Sequence, residues 1–168
     1  SLTIDFTQPA GRQLLLDLVA RCDVLVENFK AGDLQRYGLD YASVSAVNPS
    51  IVYCSITGYG QDGPMASQPG YDPVFQAISG LMSTCGLPDG VPGGGPMRAM
   101  VPIVDVMTGM VSTTAVLAAL LRRKKTGEGQ HLDIALLDVA MAASVHLGQT
   151  HLTTGKLPQR AGNGSLLF

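Results

Sequence analysis

The sequence predicts an α/β fold, in which helices cover a mostly parallel sheet. Two short apolar runs, 24–26 and 51–56, have the length and composition of buried strands. An alternating segment, 2–6, precedes them, and segments with helical spacing of apolar residues separate the three. The order strand–helix–strand–helix–strand favours parallel strands, because each helix crosses from one strand to the next.

The second half adds a short helix over 72–82, a long helix, a strand over 130–134 and a small-residue helix over 135–148. Asp105 is predicted to cap the long helix, which ends in the basic run 122–125. We interpret this helix as buried, since Asp105 and hydroxyl residues interrupt the apolar core that a membrane span requires. Its predicted apolar face comprises Val106, Met110, Thr113, Val116, Leu117 and Leu120.

The predicted strand ends locate a candidate ligand site. Parallel sheets bind ligands beyond the carboxyl ends of their strands. In this chain two of those ends are predicted at Glu27 and Thr57, which are followed by loops. A second loop, 86–96, is rich in Gly and Pro. The loops that start at Glu27 and Thr57 are therefore the expected site.

Composition narrows the function classes. The 168 residues are predicted to form a single domain, 1–168, with 46% hydrophobic and only 14% charged residues. So little charge predicts that some apolar surface meets another chain or segment. The net charge of -2 gives no footprint for nucleic acid or an anionic membrane. Three widely spaced cysteines and no signal peptide favour a reducing, cytoplasmic compartment.

Several candidate motifs have ordinary explanations. The glycines 93–95 lack the Lys-Ser/Thr ending of a P-loop, so we interpret them as a surface loop. His131, His146 and His151 have no accompanying carboxylate or thiol pattern, and no metal is expected. Serine or cysteine hydrolase motifs are likewise missing from the sequence.

Asp105 is the acidic residue that demands an explanation. It lies within an apolar stretch, where a carboxylate without partners is expensive, so backbone donors or chemistry must account for it. The residues alone leave two interpretations open. Asp105 is either a helix cap or a carboxylate nucleophile that a helix N-terminus keeps ionised.

A series of short motifs follows in order along the chain: VENFKAG (26–32), RYGL (36–39), NP (48–49), IVYCSITGYG (51–60), GP (63–64), GYD (70–72), SGLM (79–82), Asp105 with TG (108–109), AALL (118–121) and TGEGQ (126–130) with Asp133 and Leu136. This ordered series resembles the family III CoA-transferases, which include the formyl-CoA and carnitine-CoA transferases. The resemblance covers nearly the whole chain and is closest to members that act on dicarboxylic acyl groups.

The resemblance implies a Rossmann-like fold and a covalent mechanism. Asp105 matches the family's catalytic aspartate, which attacks an acyl-CoA thioester to give an enzyme-bound anhydride and then an aspartyl-CoA thioester. Under this resemblance the helix-cap interpretation and the nucleophile interpretation of Asp105 are compatible with each other. The substrates implied are an acyl-CoA and a carboxylic acid, and no metal is involved.

The same resemblance implies the binding residues. Asn28, Phe29, Arg36 and Tyr37 match positions that bind CoA, and an arginine suits nucleotide phosphates through paired donors. Tyr71 matches an aromatic position beside the acyl group, where its hydroxyl can orient a carboxylate.

Two alternatives remain open. The α-methylacyl-CoA racemases resemble the same pattern but have a His in place of Tyr71, because moving a proton at the α carbon needs an acid/base of near-neutral pKa. A truncated, non-catalytic CoA-binding fragment is the other alternative. The family's first strand and helix are expected upstream of this chain, and its glycine-rich loop is expected downstream. The linker before that loop begins at 160–164 and departs from the family pattern at 165–168. Members are interlocked homodimers, so this piece alone is expected to be inactive.

Overall fold

The computed structural model describes residues 1–164 and contains a three-stranded parallel sheet in the order β1-β2-β3, flanked by helices. This architecture confirms the predicted α/β class. A 3-10 turn at Gln35–Tyr37 is the one further helical piece in the described part of the chain. The elements are α1 (Pro9–Val19), β1 (Val24–Glu27), α2 (Tyr41–Val47), β2 (Val52–Thr57), α3 (Asp72–Ile78), α4 (Leu81–Thr84), α5 (Ile103–Thr126), β3 (Gln130–Ala135), α6 (Leu136–Ala143) and α7 (Val145–Thr154).

The central strand β2 separates two helical layers. Tyr53 shares a buried cluster with Val19 of α1 and Val44 of α2. The neighbouring Cys54 faces the opposite layer, where Ser112 of α5 lies beside its thiol. Successive residues of a strand point to opposite faces, so β2 is buried on both faces and is mostly apolar. The continuous apolar run 51–56 is the sequence signature of this arrangement.

The predicted strand at 2–6 is wrong. The carboxylate of Asp5 accepts hydrogen bonds from the backbone N–H of Thr7 at 3.0 Å and from its hydroxyl at 2.6 Å. The Asp5 carbonyl also accepts the N–H of Gln8 at 3.2 Å, just before α1 begins. Aspartate commonly turns the chain in this way. Alternation of apolar and polar residues shows that one face of a segment is apolar. Without a neighbouring strand to pair with, such a segment does not form a strand.

Two predicted helices are each divided in the structure. Gly80, at φ +83°, separates α3 from α4, because its left-handed backbone interrupts the helix. Ser144 separates α6 from α7 within the predicted helix 135–148. The predicted strand 130–134 is confirmed as β3.

The long helix α5 is oriented differently from the prediction. Its buried side consists of small or short residues, with Val104, Thr108, Ser112 and Ala119 in contact with the interior. Large residues of the predicted apolar face are exposed instead, including Met110, at 66%. Small side chains bring the helix close to the sheet, so the tertiary packing selects a different stripe. By length and composition alone, α5 also qualifies as a membrane-crossing helix, a criterion that core helices of soluble proteins meet too.

The Gly/Pro-rich loop 86–96 is held by one arginine. The guanidinium of Arg160 donates to the carbonyl of Ser83 at 2.9 Å and to that of Leu87 at 3.3 Å, and it pairs with the Asp89 carboxylate. Charge-assisted bonds of this kind fix loop geometry better than neutral ones. The loop therefore has a defined path toward α5. The predicted departure at 165–168 lies outside the described residues.

Arg123 joins the end of α5 to the beginning of the sheet, which predicts a stability effect. It donates to the carbonyls of Asp23 at 3.2 Å and Ser50 at 3.3 Å, and to the Asp23 carboxylate at 2.7 Å. We expect Arg123→Ala to lower the free energy of unfolding of the full-length protein by about 2 kcal/mol, mainly through the backbone bonds. Denaturant titration measures this. Arg122 forms only an exposed pair with Glu128, so Arg122→Ala is the control and should cost less than about 1 kcal/mol. Equal losses in both variants would contradict this role.

Candidate functional site

A cavity of about 940 Å³ lies at the carboxyl ends of β1 and β2. Its walls come from the β1 loop 26–31, from β2 through 56–58, from the segment 66–73 and from the start of α5. This is the place where the strand order predicts a ligand, because the carboxyl ends of parallel strands open at one edge of the sheet. Four of the predicted site residues line this cavity. Asn28 and Phe29 follow β1, Tyr71 lies at the rim, and Asp105 belongs to α5.

Asp105 lies in the first turn of α5 but does not cap it. The helix begins at Ile103, with Pro102 at the N-cap position, so the predicted capping role of Asp105 is wrong. The carboxylate of Asp72 performs that function from α3. Its Oδ2 accepts the N–H of Val104 at 2.7 Å and the N–H of Asp105 at 3.1 Å. Asp72 thus satisfies helix donors that would otherwise be unpaired, and the Asp105 carboxylate stays at the cavity surface.

The environment of Asp105 raises the pKa of its carboxyl group. Partial burial is the larger cause, since it penalises the charged form, and the negative charge of Asp72 adds to it. The sequence favoured a helix N-terminus that keeps Asp105 ionised. The pKa of Asp105 shifts in the opposite direction here because the side chain is partly buried and because the helix donors are bound to Asp72, whose charge repels a second carboxylate.

Asn28 and Phe29 lie in the turn that follows β1. The carboxylate of Glu27 accepts the backbone N–H of Phe29 at 2.8 Å, which closes the chain directly after the strand. Both residues are exposed and line the cavity, together with Lys30. The turn therefore presents an amide, an aromatic ring and a cation at one wall.

Arg36 and Tyr37 do not line the large cavity. The guanidinium of Arg36 lies 4.8 Å from the centre of the Tyr37 ring, a cation–π contact. Phe6 then joins this pair to the cavity wall, since its ring contacts Tyr37 at 5.2 Å and Phe29 at 5.6 Å between centroids. Phe6 thus links Arg36 and Tyr37 to the Asn28–Phe29 turn beside the cavity. The alternating segment 2–6 did not indicate Phe6 as a site residue.

Tyr71 lies at the cavity rim and is 74% exposed. The preceding Gly70 crosses the buried ring of Phe75 so closely that a Cβ atom would lie 2.1 Å from the ring. Gly58 makes a similar approach on the β2 side, at 2.8 Å. These two glycines let the chain pass over Phe75 and bring Tyr71 to the same opening as Asp105.

Two further residues at the site were missed by the sequence analysis. Gln76 is buried, donates to the Asp72 carboxylate, and forms two hydrogen bonds with the backbone of Ala99, one accepted from its N–H at 2.8 Å and one donated to its carbonyl at 3.3 Å. Arg98, next to Ala99, lines the cavity. No spacing rule connects position 76 with position 99, so only the folded chain reveals this bridge.

A second cavity of about 310 Å³ lies on the α2 side of the sheet and shares Glu27 and Lys30 with the first. His131 lines it, with Nε2 at 2.9 Å from the Ser55 hydroxyl and with its ring stacked on Tyr41 at 5.1 Å. These contacts are those of a packed structural histidine. Within residues 1–164, no group of three or more His, Cys, Asp or Glu side chains is arranged to hold a metal ion.

The fold and cavity define an α/β domain with an anionic side chain at a ligand site beyond its strand ends. The chain belongs to CoA-transferase family III, whose family model matches residues 1–167. This confirms the family resemblance.

Named relatives are consistent with that membership. The chain is 46% identical to a succinate–glutarate CoA-transferase of Agrobacterium fabrum over 97% of its length, and 38% identical to the human succinyl-CoA:glutarate CoA-transferase over 99%. It covers only 40% and 38% of those two proteins. A crystal structure of a CaiB/BaiF family protein from Brucella suis superposes with a TM-score of 0.93 at 44% identity, over 98% of this chain and 43% of that one. The chain therefore spans about two fifths of the length of these relatives.

The raised pKa of Asp105 predicts a stability effect with a definite sign. In the unfolded chain an aspartate has a pKa of about 3.9, below that of folded Asp105. Above both values the charged carboxylate therefore favours unfolding, and below both values the difference vanishes. We expect Asp105→Asn to raise the melting temperature of the full-length protein at neutral pH, with a gain that shrinks as the pH falls through the pKa of Asp105.

Thermal unfolding over a pH series measures this gain. Asp62→Asn, which removes the same charge from an exposed loop, is the control. A gain for Asp105→Asn that grows on acidification would contradict the assigned direction.

Proposed function

We propose that the full-length protein transfers CoA between an acyl-CoA and a carboxylic acid, with Asp105 as the nucleophile. The observation that carries this proposal is the place of Asp105, in the first turn of α5, at a large cavity shared with the Asn28–Phe29 turn and Tyr71. Family membership supports the reaction class. Relatives named for succinate, glutarate and oxalate support short dicarboxylic acids as substrates.

The proposed chemistry proceeds without net proton transfer. A carboxylate oxygen of Asp105 attacks the thioester carbonyl and the C–S bond breaks. The CoA thiolate departs, and an aspartyl anhydride remains on the protein. The thiolate then attacks the Asp105 carbonyl carbon, which releases the donor acid and forms an aspartyl-CoA thioester. The acceptor carboxylate attacks this thioester and expels the thiolate again. Finally the thiolate attacks the acceptor carbonyl, which forms the new acyl-CoA and frees Asp105.

Two features of the structure suit this role of Asp105. Asp72 occupies the N–H groups of Val104 and Asp105, so those donors do not compete for the oxygens of Asp105. The raised pKa of Asp105 makes its anion a stronger base, and hence a stronger nucleophile, than an ordinary aspartate. The anion remains the reactive form, and transfer should fall as the pH drops through that pKa.

The remaining predicted residues are proposed to bind the substrate. Asn28 and Phe29 contact CoA at the cavity wall, while Arg36 and Tyr37, linked to that wall through Phe6, contact its nucleotide end. An arginine can bind phosphate through two parallel bonds. Tyr71, at the rim, orients an acyl or acceptor carboxylate through its hydroxyl.

We further propose that the complete protein is an interlocked homodimer in the cytoplasm and that this piece alone is inactive. Large exposed residues along α5 support the first part, because Met110, Leu117 and Leu121 are 66%, 57% and 67% exposed within the described chain. Such a surface is suited to contact with further protein.

Intact-mass spectrometry tests the nucleophile. After incubation of the full-length protein with a panel of acyl-CoAs, we expect an adduct of the mass of CoA minus water, or of the acyl group, on the parent protein. Asp105→Ala should show no adduct, since no carboxylate remains to form the anhydride. Asp133→Ala is a carboxylate control outside the lining of the large cavity and should keep the adduct. An adduct that persists in Asp105→Ala would refute the proposed role.

The racemase alternative makes a different prediction. Racemisation exchanges the α proton with solvent, a step that needs an acid or base of near-neutral pKa, and Tyr71 stands where the racemases have a His. No histidine lies among the described residues that line the large cavity. We expect no α-deuterium in 2-methylacyl-CoA incubated with the full-length protein in deuterium oxide, as measured by mass spectrometry. Rapid exchange by the parent, unimproved in Tyr71→His, would favour a racemase.

A further inference from the structure

Arg98 is a cation of the large cavity that the proposed chemistry has not used. Its side chain is exposed at the cavity wall. Its hydrogen-bonding contact within the described residues is a weak one, to the sulfur of Met100 at 3.8 Å. It takes part in no ion pair among residues 1–164. An arginine with unused donors at a ligand cavity is suited to bind an anionic group.

The carboxylates already at the cavity leave Arg98 available to a ligand. The buried Asp72 carboxylate accepts bonds from Gln76 and from the N–H groups at the start of α5. Glu27 accepts the N–H of Phe29 on the opposite wall. Asp105 is the remaining carboxylate of the cavity, and it is the proposed nucleophile.

A chain of buried hydrogen bonds holds Arg98 in register with Asp105. Gln76 binds both the N–H and the carbonyl of Ala99, the residue after Arg98. Gln76 also donates to Asp72, which in turn accepts the N–H of Asp105. Gln76 is 1% and Asp72 5% exposed. A network that is buried and hydrogen-bonded in this way is rigid, so the backbones that carry the two side chains cannot shift independently.

The position of Arg98 also separates it from the predicted nucleotide-binding residues. Asn28 and Phe29 lie in the turn after β1, and Arg36 follows them. Arg98 belongs to the segment that leads into α5, Asp105 lies in the first turn of that helix, and both line the large cavity. An anion bound by Arg98 would therefore lie in the same cavity as an acyl group that reacts at Asp105.

We propose that Arg98 binds the distal carboxylate of a dicarboxylic acyl group or acceptor acid, while the proximal carbonyl reacts at Asp105. This inference rests on the proposed transferase function and adds a residue that selects the substrate class. Arg98 would hold the distal group through paired N–H bonds. A monocarboxylic chain of equal length lacks that anchor.

The test compares two donors of equal chain length, glutaryl-CoA and pentanoyl-CoA, in steady-state transfer by the full-length protein. We expect Arg98→Gln to reduce the ratio of their kcat/KM values, glutaryl over pentanoyl, by roughly tenfold to hundredfold, as for loss of a charged hydrogen-bonding group. Arg98→Lys should retain an intermediate preference. Arg122→Gln removes the same charge from the far end of α5 and should leave the ratio unchanged.

Two results would overturn the inference. If both donors lose activity equally in Arg98→Gln, with a raised KM for each, Arg98 binds a phosphate of CoA instead. If neither changes, Arg98 binds no substrate group. Melting temperatures of the variants identify any loss of activity that is caused by misfolding. If Arg98→Gln is misfolded, the kcat/KM ratio of Arg98→Lys decides whether Arg98 binds the distal carboxylate.

A binding measurement separates this inference from the transferase proposal. Calorimetry with free glutarate should give heat of binding for the parent and for Asp105→Asn, but at least tenfold weaker binding for Arg98→Gln. If no acyl-CoA gives an Asp105 adduct while this difference holds, the transferase proposal fails and the carboxylate site stands. If transfer occurs while glutarate and pentanoate bind the parent equally, the carboxylate site fails alone.

Discussion

The carboxylate of Asp72 is the interaction on which the candidate site depends. It is almost fully buried and accepts three hydrogen bonds, from Val104 N–H, Asp105 N–H and the Gln76 amide. Without it, the N–H groups of Val104 and Asp105 would lose their acceptor, and a donor left buried and unpaired in this way costs about 1–3 kcal/mol. The same carboxylate fixes α3 against the start of α5. The position of Asp105 is therefore set by a residue of a different helix.

This arrangement has an electrostatic consequence for Asp105. A helix N-terminus stabilises one nearby anion well, and here Asp72 is that anion. Asp105 lies in the first turn of that helix, where partial burial, and after it the negative charge of Asp72, raises the pKa of its carboxyl group. The oxygens of a capping aspartate are bound to N–H groups, whereas those of Asp105 do not cap the helix. The fold thereby divides two tasks between two carboxylates, one that stabilises the helix and one that faces the cavity.

The sequence is informative wherever structure depends on neighbours along the chain. The apolar run 51–56 predicts β2, the alternation at 130–134 predicts β3, and the strand ends predict the location of the cavity. Two of the errors arise where distant residues decide. Asp72 lies 33 residues before Asp105, so an aspartate before a helix was assigned the capping role that a tertiary contact provides. The exposed face of α5 was predicted to be buried for the same reason, since periodicity cannot show which stripe meets the sheet.

The two walls of the cavity differ in how local their structure is. The wall after β1 follows from a short motif, in which Glu27 binds the N–H of Phe29 two residues later. The opposite wall, with Arg98 and Asp105, is assembled by side chains from distant parts of the chain through Gln76. A local motif can bind the constant part of a substrate with the same few residues in many proteins. A wall built from tertiary contacts can change with one substitution at a distance, so a residue such as Arg98, which we propose to select the acyl group, is one that a single sequence reveals least.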